Sequence, residues 1–242
     1  MRETAKNYED RIANGDFANY LHGNGIDIGG GTDCLKLPGG IEGTVRLWDF
    51  QDGDAQYMHK VRDESFDFVY SSHCLEHMRD LKTAFTNWLR ICRKGGILYI
   101  CVPHEKYYEK GIWPSINNAD HKYSFTVEEK SSLPANVAVR EFLDGFSRWI
   151  EVIEIRENLK NYRFDCDQRI DQTLHYEDMV CAQIDMIIRK KEMILSKKWK
   201  RKNHKNWFRD YCTLIVPIRA KALGRRVIPK SVRAFLKSKI SL

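Results

Sequence analysis

No apolar stretch in this chain approaches the ~20 residues that a membrane-spanning helix needs. The longest are Leu214-Ile-Val216 and short strand-like runs such as 97–103. The first residues, Met1-Arg-Glu-Thr-Ala-Lys6, have no apolar segment behind them, so no cleaved secretory signal is expected. Seven cysteines (34, 74, 92, 101, 166, 181 and 212) form no Cys-x-x-Cys pair, and their number is odd. A disulfide framework and a cysteine-based zinc site are both poor readings of that pattern; reduced thiols in a cytoplasmic protein are the better one. Internal repeats and low-complexity tracts are also missing. With 43% hydrophobic and 30% charged residues over 242 positions, there is enough apolar material for one large globular domain, or one domain with a tail.

The net charge of +7 is unevenly placed. Residues 186–242 hold 18 lysines and arginines against Glu192 and Asp210, a net charge of +16, whereas residues 1–185 hold 22 against 31, a net charge of −9. An acidic body with a basic tail suggests that the tail meets something anionic, a membrane surface or a nucleic acid; a solvated helix with a charged coat is the plain alternative. The composition turns basic near residue 196, which divides the chain into a domain, 1–195, and a basic amphipathic tail, 196–242.

Within the domain, Tyr8, Ile12, Phe17 and Leu21 predict an amphipathic helix over 5–21. Three short strands are predicted at 24–28, 44–49 and 67–72. Leu81, Ala84, Phe85, Trp88, Leu89 and Cys92 fall at helical spacing behind Asp80, a good cap, and Arg93-Lys-Gly-Gly96 closes that helix. A near-continuous apolar strand follows at 96–103, as in a parallel sheet covered on both faces. An alternating strand is predicted at 149–155 and a long helix at 174–195. Strand, helix and strand in succession describe a βαβ unit and an open α/β sheet.

The most specific segment is Gly25-Ile-Asp-Ile-Gly-Gly-Gly-Thr-Asp33. Glycines directly after a strand let a ligand approach the backbone, at the edge where open sheets bind their ligands. A dinucleotide fingerprint, Gly-x-Gly-x-x-Gly, would begin at Gly29 and Gly31 but meets Cys34 where its third glycine should be. Asp27-Ile-Gly-Gly-Gly31 instead resembles the first motif of class I S-adenosylmethionine-dependent methyltransferases. The stretch Asp63-Glu-Ser-Phe-Asp-Phe-Val-Tyr-Ser-Ser-His-Cys-Leu-Glu-His77, then 88–103, resembles the fourth strand, following helix and fifth strand of that family, so that the likeness spans about half the chain, 20–126.

The resemblance implies a Rossmann-like open, mostly parallel sheet with helices on both faces, and S-adenosylmethionine as cofactor. It implies that Gly29–Gly31 pass close to the methionine portion, with Asp27 holding the loop and the ammonium end. Asp49 lies 22 residues after Asp27, where an acidic residue can accept from ribose hydroxyls. Asp54 and Ala55 would lie near the adenine amino group, and Ser72 and His73 would face the same crevice. Many relatives carry a cysteine or another small residue where this chain has Gly30, a departure that is expected to be tolerated. The segment after the predicted third strand, Ser-Ser-His-Cys-Leu-Glu, lacks the Asp/Asn-Pro-Pro-Tyr/Phe pattern found in many enzymes that methylate amide or exocyclic amine nitrogens.

Histidines 73 and 77 stand four apart, but a strand ends between them, and neither a carboxylate–histidine nor a cysteine–histidine set completes a metal site, so none is expected. The aromatic and polar segment 107–122 resembles a lid suited to a carbohydrate-like acceptor. Asp120-His121 is the best candidate for a general base, because a carboxylate beside an imidazole raises its basicity; His77 is the second. Proteins with this motif set and a His-Lys loop resemble bacterial enzymes of surface-polysaccharide assembly. Methyl transfer to an oxygen of a sugar or phosphate in such a precursor is therefore expected, on a glycan or lipid-linked glycan, with residues 197–242 at the anionic cytoplasmic leaflet. A nucleic-acid methyltransferase, with the tail as phosphate-binding arm, is the alternative.

Overall fold

The computed structural model describes residues 2–192. The predicted N-terminal helix is broken into three, α1 (Glu3–Lys6), α2 (Tyr8–Ala13) and α3 (Asp16–Asn19). Gly15 stands in the left-handed region, φ 75°, between the last two and turns the chain there. Of the predicted helix's apolar positions Phe17 and Leu21 are buried, Tyr8 is half-buried and Ile12 is exposed, because the break at Gly15 interrupts the single face that the spacing predicted.

Strands β1 (Gly23–Ile28), β2 (Gly43–Trp48) and β3 (Phe66–Ser72) follow. The stretch resembling the family's fourth strand is thus the third here. Helix α4 (Leu81–Ile91) is capped by Asp80, whose carboxylate accepts from the Thr83 backbone N–H at 3.1 Å and from the Thr83 hydroxyl at 2.9 Å. Strand β4 (Cys92–Pro103) returns beside β3, the pair Tyr70–Tyr99 lying directly opposite. A two-stranded parallel sheet of β5 (Ser124–Thr126) and β6 (Asn136–Ala138) precedes α5 (Val139–Asp144). Strands β7 (Ile150–Asn158) and β8 (Gln183–Lys190) complete the main sheet.

The six strands are ordered β2-β1-β3-β4-β8-β7; the first four are parallel and β8 and β7 run antiparallel to their neighbours. Side chains alternate between faces, as strand geometry demands. Leu98, Ile100 and Val102 meet Phe85 and Trp88 of α4 on one face, while Ile97, Tyr99 and Cys101 meet Phe17 and Leu21 on the other. Helices therefore cover both faces, as expected of this fold.

One expectation is corrected. Of the long helix expected over 174–195, the described residues 174–192 form none: a short turn at Tyr176–Asp178 leads into β8, which is inserted between β4 and β7. Ile184, Met186, Ile187 and Ile188 are all buried, because both faces of an interior strand are covered. A short buried strand of this kind has no alternation to distinguish it from a buried helix. The tail, 196–242, lies outside the described residues.

Candidate active site

Chain order places β2 on one side of β1 and β3 on the other, so the carboxyl ends of β1 and β3 diverge at a topological switch point. The glycine turn emerges there. Gly29 and Gly31 adopt φ of 82° and 52°. A Cβ at Gly29 would lie 2.6 Å from Cys74 Sγ, and one at Gly30 would lie 2.5 Å from Asp27 Oδ2. The backbone thus packs onto the next turn with no room for a side chain.

Asp27 lies beneath this turn. Its Oδ2 accepts from the Leu35 N–H at 2.7 Å, tying the two ends of the glycine loop together, while Oδ1 is buried without a partner among the described residues. Burial pushes its carboxyl up to about 7. Asp49, at the end of β2, approaches the same turn: a Cβ on Gly31 would be 3.5 Å from its Oδ2. Asp54 is directed elsewhere, accepting from Arg79 at 3.0 Å and from the Gln56 N–H at 2.8 Å. The Ala55 carbonyl accepts from Trp88 Nε1 at 2.9 Å.

A cavity of about 220 Å³ opens between Gly29-Gly30, Ser72-His73, the turn Leu75–His77 and His121. Ser72 Oγ is buried there without a partner among the described residues. His73, in the left-handed region, bonds Gln183 Oε1 through Nε2 at 3.1 Å, and burial lowers its pKa. The 118–122 loop is pinned against the turn by the Lys122 N–H, which donates to the Glu76 carbonyl at 2.8 Å. That contact brings His121 beside His77, their ring centroids 4.9 Å apart.

The carboxylate partners differ from those expected. Asp120 does not serve His121; it bonds His77 Nδ1 at 2.9 Å. His121 Nδ1 bonds buried Glu109 at 2.6 Å, twelve residues back along the same segment. The side chain at 120 and the one at 121 point to different sides of the loop, so sequence adjacency did not give contact. The expectation that no carboxylate–histidine set forms is also corrected. Glu76, His77 and His121 converge, with ligand-type atoms within 4.8 Å of one another. Glu76 and Glu109 received no role from the sequence. The signal for Glu76 was its place between two histidines, but His121 lies too far along the chain for spacing to reveal the set.

Residues 27–100 match the methyltransferase domain family. The cofactor of this domain is S-adenosylmethionine. The chain matches no curated protein. Among solved structures it is similar to a protein described as a sarcosine dimethylglycine methyltransferase from Galdieria sulphuraria, at 12% identity and a TM-score of 0.50, over 77% of this chain and 85% of that one. A protein described as a methyltransferase from Bacillus halodurans is similar at 15% identity and a TM-score of 0.47, over 75% and 98% of the two chains. At 12% identity the first of these likenesses shows the fold alone.

The residues of the methyltransferase domain fit its cofactor. S-adenosylmethionine is a sulfonium cation, and the cavity carries the carboxylates of Glu3, Asp33 and Glu76 with no lysine or arginine among its described lining. The side-chain-free glycine turn and the unpartnered Ser72 hydroxyl offer backbone and side-chain contacts to its amino-acid end. Asp27, Asp49, Asp54 and Ala55 do not line the cavity itself. Asp49 flanks the turn.

Proposed function

We propose that this chain transfers a methyl group to a hydroxyl oxygen of a sugar in a cell-surface polysaccharide precursor. The supporting observation is the pair His77 and His121 in the same cavity as the glycine turn, each bonded to a carboxylate through Nδ1. A carboxylate acceptor keeps the proton of a neutral imidazole on Nδ1, so both Nε2 atoms present lone pairs. The bound cofactor supplies an electrophilic methyl carbon activated by its sulfonium.

The chain's own part is alignment and proton handling. The glycine turn and Ser72 hold the donor end, and the loop carrying Asn118 and His121 faces it across the cavity. A hydroxyl is a poor nucleophile until its proton leaves, and that proton is taken at the histidine–carboxylate cluster. The acidic, cation-free lining favours a neutral hydroxyl over a phosphate, which the same carboxylates would repel. Residues 197–242 would hold the protein at an anionic leaflet, where lipid-linked glycans lie; no described helix is long and apolar enough to cross a membrane.

The test is to incubate the full chain with methyl-labelled S-adenosylmethionine and separated envelope, cytosolic and nucleic-acid fractions. Label on an alkali-stable sugar ether in the envelope fraction supports the reading. Label on RNA or DNA replaces it with the nucleic-acid alternative.

A further inference from the structure

Glu76 presents an anomaly. It is completely buried, and neither carboxylate oxygen has a hydrogen-bond partner among the described residues. An ionised carboxylate so placed is costly unless something neutralises it. Around its Oε1 stand three imidazole nitrogens: His73 Nδ1 at 3.7 Å, His121 Nε2 at 3.8 Å and His77 Nε2 at 3.9 Å. These separations are too long for hydrogen bonds. They approach the ~3.3 Å between two ligand atoms that share one tetrahedral zinc ion with bonds of about 2.0–2.1 Å.

The far side of each imidazole is already bonded. His77 Nδ1 meets Asp120, His121 Nδ1 meets Glu109 and His73 Nε2 meets Gln183. Metal-ligating histidines are held in this way, the second nitrogen bonded to a carboxylate or another acceptor that fixes the tautomer. Every nitrogen facing Glu76 is therefore the one left without a proton in the neutral ring.

We propose that Glu76, His77 and His121 bind a divalent first-row transition metal ion, zinc by its donor set, with His73 beside the cluster. Two imidazoles and one carboxylate with room beyond them make an open site rather than a closed structural one. The open side faces the cavity shared with Gly29 and Gly30. The ion would receive the acceptor oxygen there and lower the pKa of its proton. With the imidazole lone pairs on the ion, the hydroxyl proton passes to water in place of the histidine base named above, the oxygen's electron pair forms the bond to the methyl carbon, and the pair of the broken sulfur–carbon bond stays on sulfur. Binding of the ion stands on the cluster alone; its catalytic part rests on the oxygen-transfer reading above.

The test begins with the full chain stripped by a chelator and titrated calorimetrically with Zn²⁺. One ion per chain is expected. His121→Ala and Glu76→Gln should lose it, Glu109→Gln should weaken it by roughly 10–100-fold, and His22→Ala, outside the cavity, should bind as the unaltered chain does. Co²⁺ loaded into the unaltered chain should give visible d–d absorption that Zn²⁺ removes, a readout independent of whether the variants fold. No Zn²⁺ uptake and no Co²⁺ spectrum, or equal affinity in folded His121→Ala, overturns the site. If the ion binds but the stripped chain transfers methyl at the full rate, its catalytic part falls. If the ion binds and no oxygen acceptor is labelled, the oxygen-transfer reading fails while the metal site stands.

Discussion

Alanine at position 30 tests how the glycine loop is held. Gly30 has φ −64°, so its backbone conformation is open to any residue. Space is the restriction: a Cβ would lie 2.5 Å from Asp27 Oδ2 and 2.8 Å from Cγ. The carboxylate is short and buried, so it cannot move without breaking the 2.7 Å bond from the Leu35 N–H. Losing a hydrogen bond to a charged group costs about 1.5–3 kcal/mol, and forcing a methyl into a packed site costs about 1–3 kcal/mol. Reduced freedom of the unfolded chain returns about 0.4–1 kcal/mol. Gly30→Ala should therefore lower stability by about 2–5 kcal/mol, on the order of 10 °C in melting midpoint for a chain of this size. It should also weaken S-adenosylmethionine in calorimetry. The double variant with Asp27→Ala, which removes the obstructing carboxylate, should show the second substitution costing under about 1 kcal/mol. Wild-type stability in Gly30→Ala, or strictly additive losses in the double variant, would refute this account. The carboxylate packed beneath position 30, which the sequence does not reveal, sets this restriction.

Other outcomes are expected. Asp49→Ala should reduce cofactor affinity by about 1.5–3 kcal/mol for each hydrogen bond lost, and unchanged calorimetric affinity would exclude Asp49 from the site. Because burial raises Asp27 to about 7 from an ordinary 3.8, the native chain keeps a proton there that the unfolded chain has lost between pH of about 4 and 7. That contribution to stability is present at low pH and is lost as pH rises through 7. Urea midpoints of the unaltered chain should fall over this window more than those of Asp27→Asn, and parallel curves would contradict it. The full chain should sediment with anionic but not neutral vesicles at low salt, and a shortened chain ending at residue 195 should not sediment while still binding S-adenosylmethionine. Steeply salt-dependent RNA binding without vesicle binding would assign the tail to nucleic acid instead.

Local chemistry was enough for much of this protein. The glycine run after β1, the cap at Asp80, the helical spacing of Leu81 to Leu89 and the apolar run of β4 each carry their structure in adjacent residues, because turns, caps and covered strands depend on neighbours a few positions away. The alternation that buries Phe68 and Tyr70 on one face and Val69 on the other is equally local. The fold class and the glycine turn were legible on those grounds. Contacts between distant segments were not. Whether 183–190 is helix or strand was settled by its insertion between β4 and β7, since a segment buried on all sides shows no period. Asp120 turned to His77 rather than to its neighbour His121, and Glu109 took its place. Glu76 meets His121, 45 positions on, only because the Lys122 backbone bonds the Glu76 carbonyl. Hydrogen-bond partners of a loop side chain depend on what the rest of the fold brings within 3 Å, and only the tertiary structure supplies that.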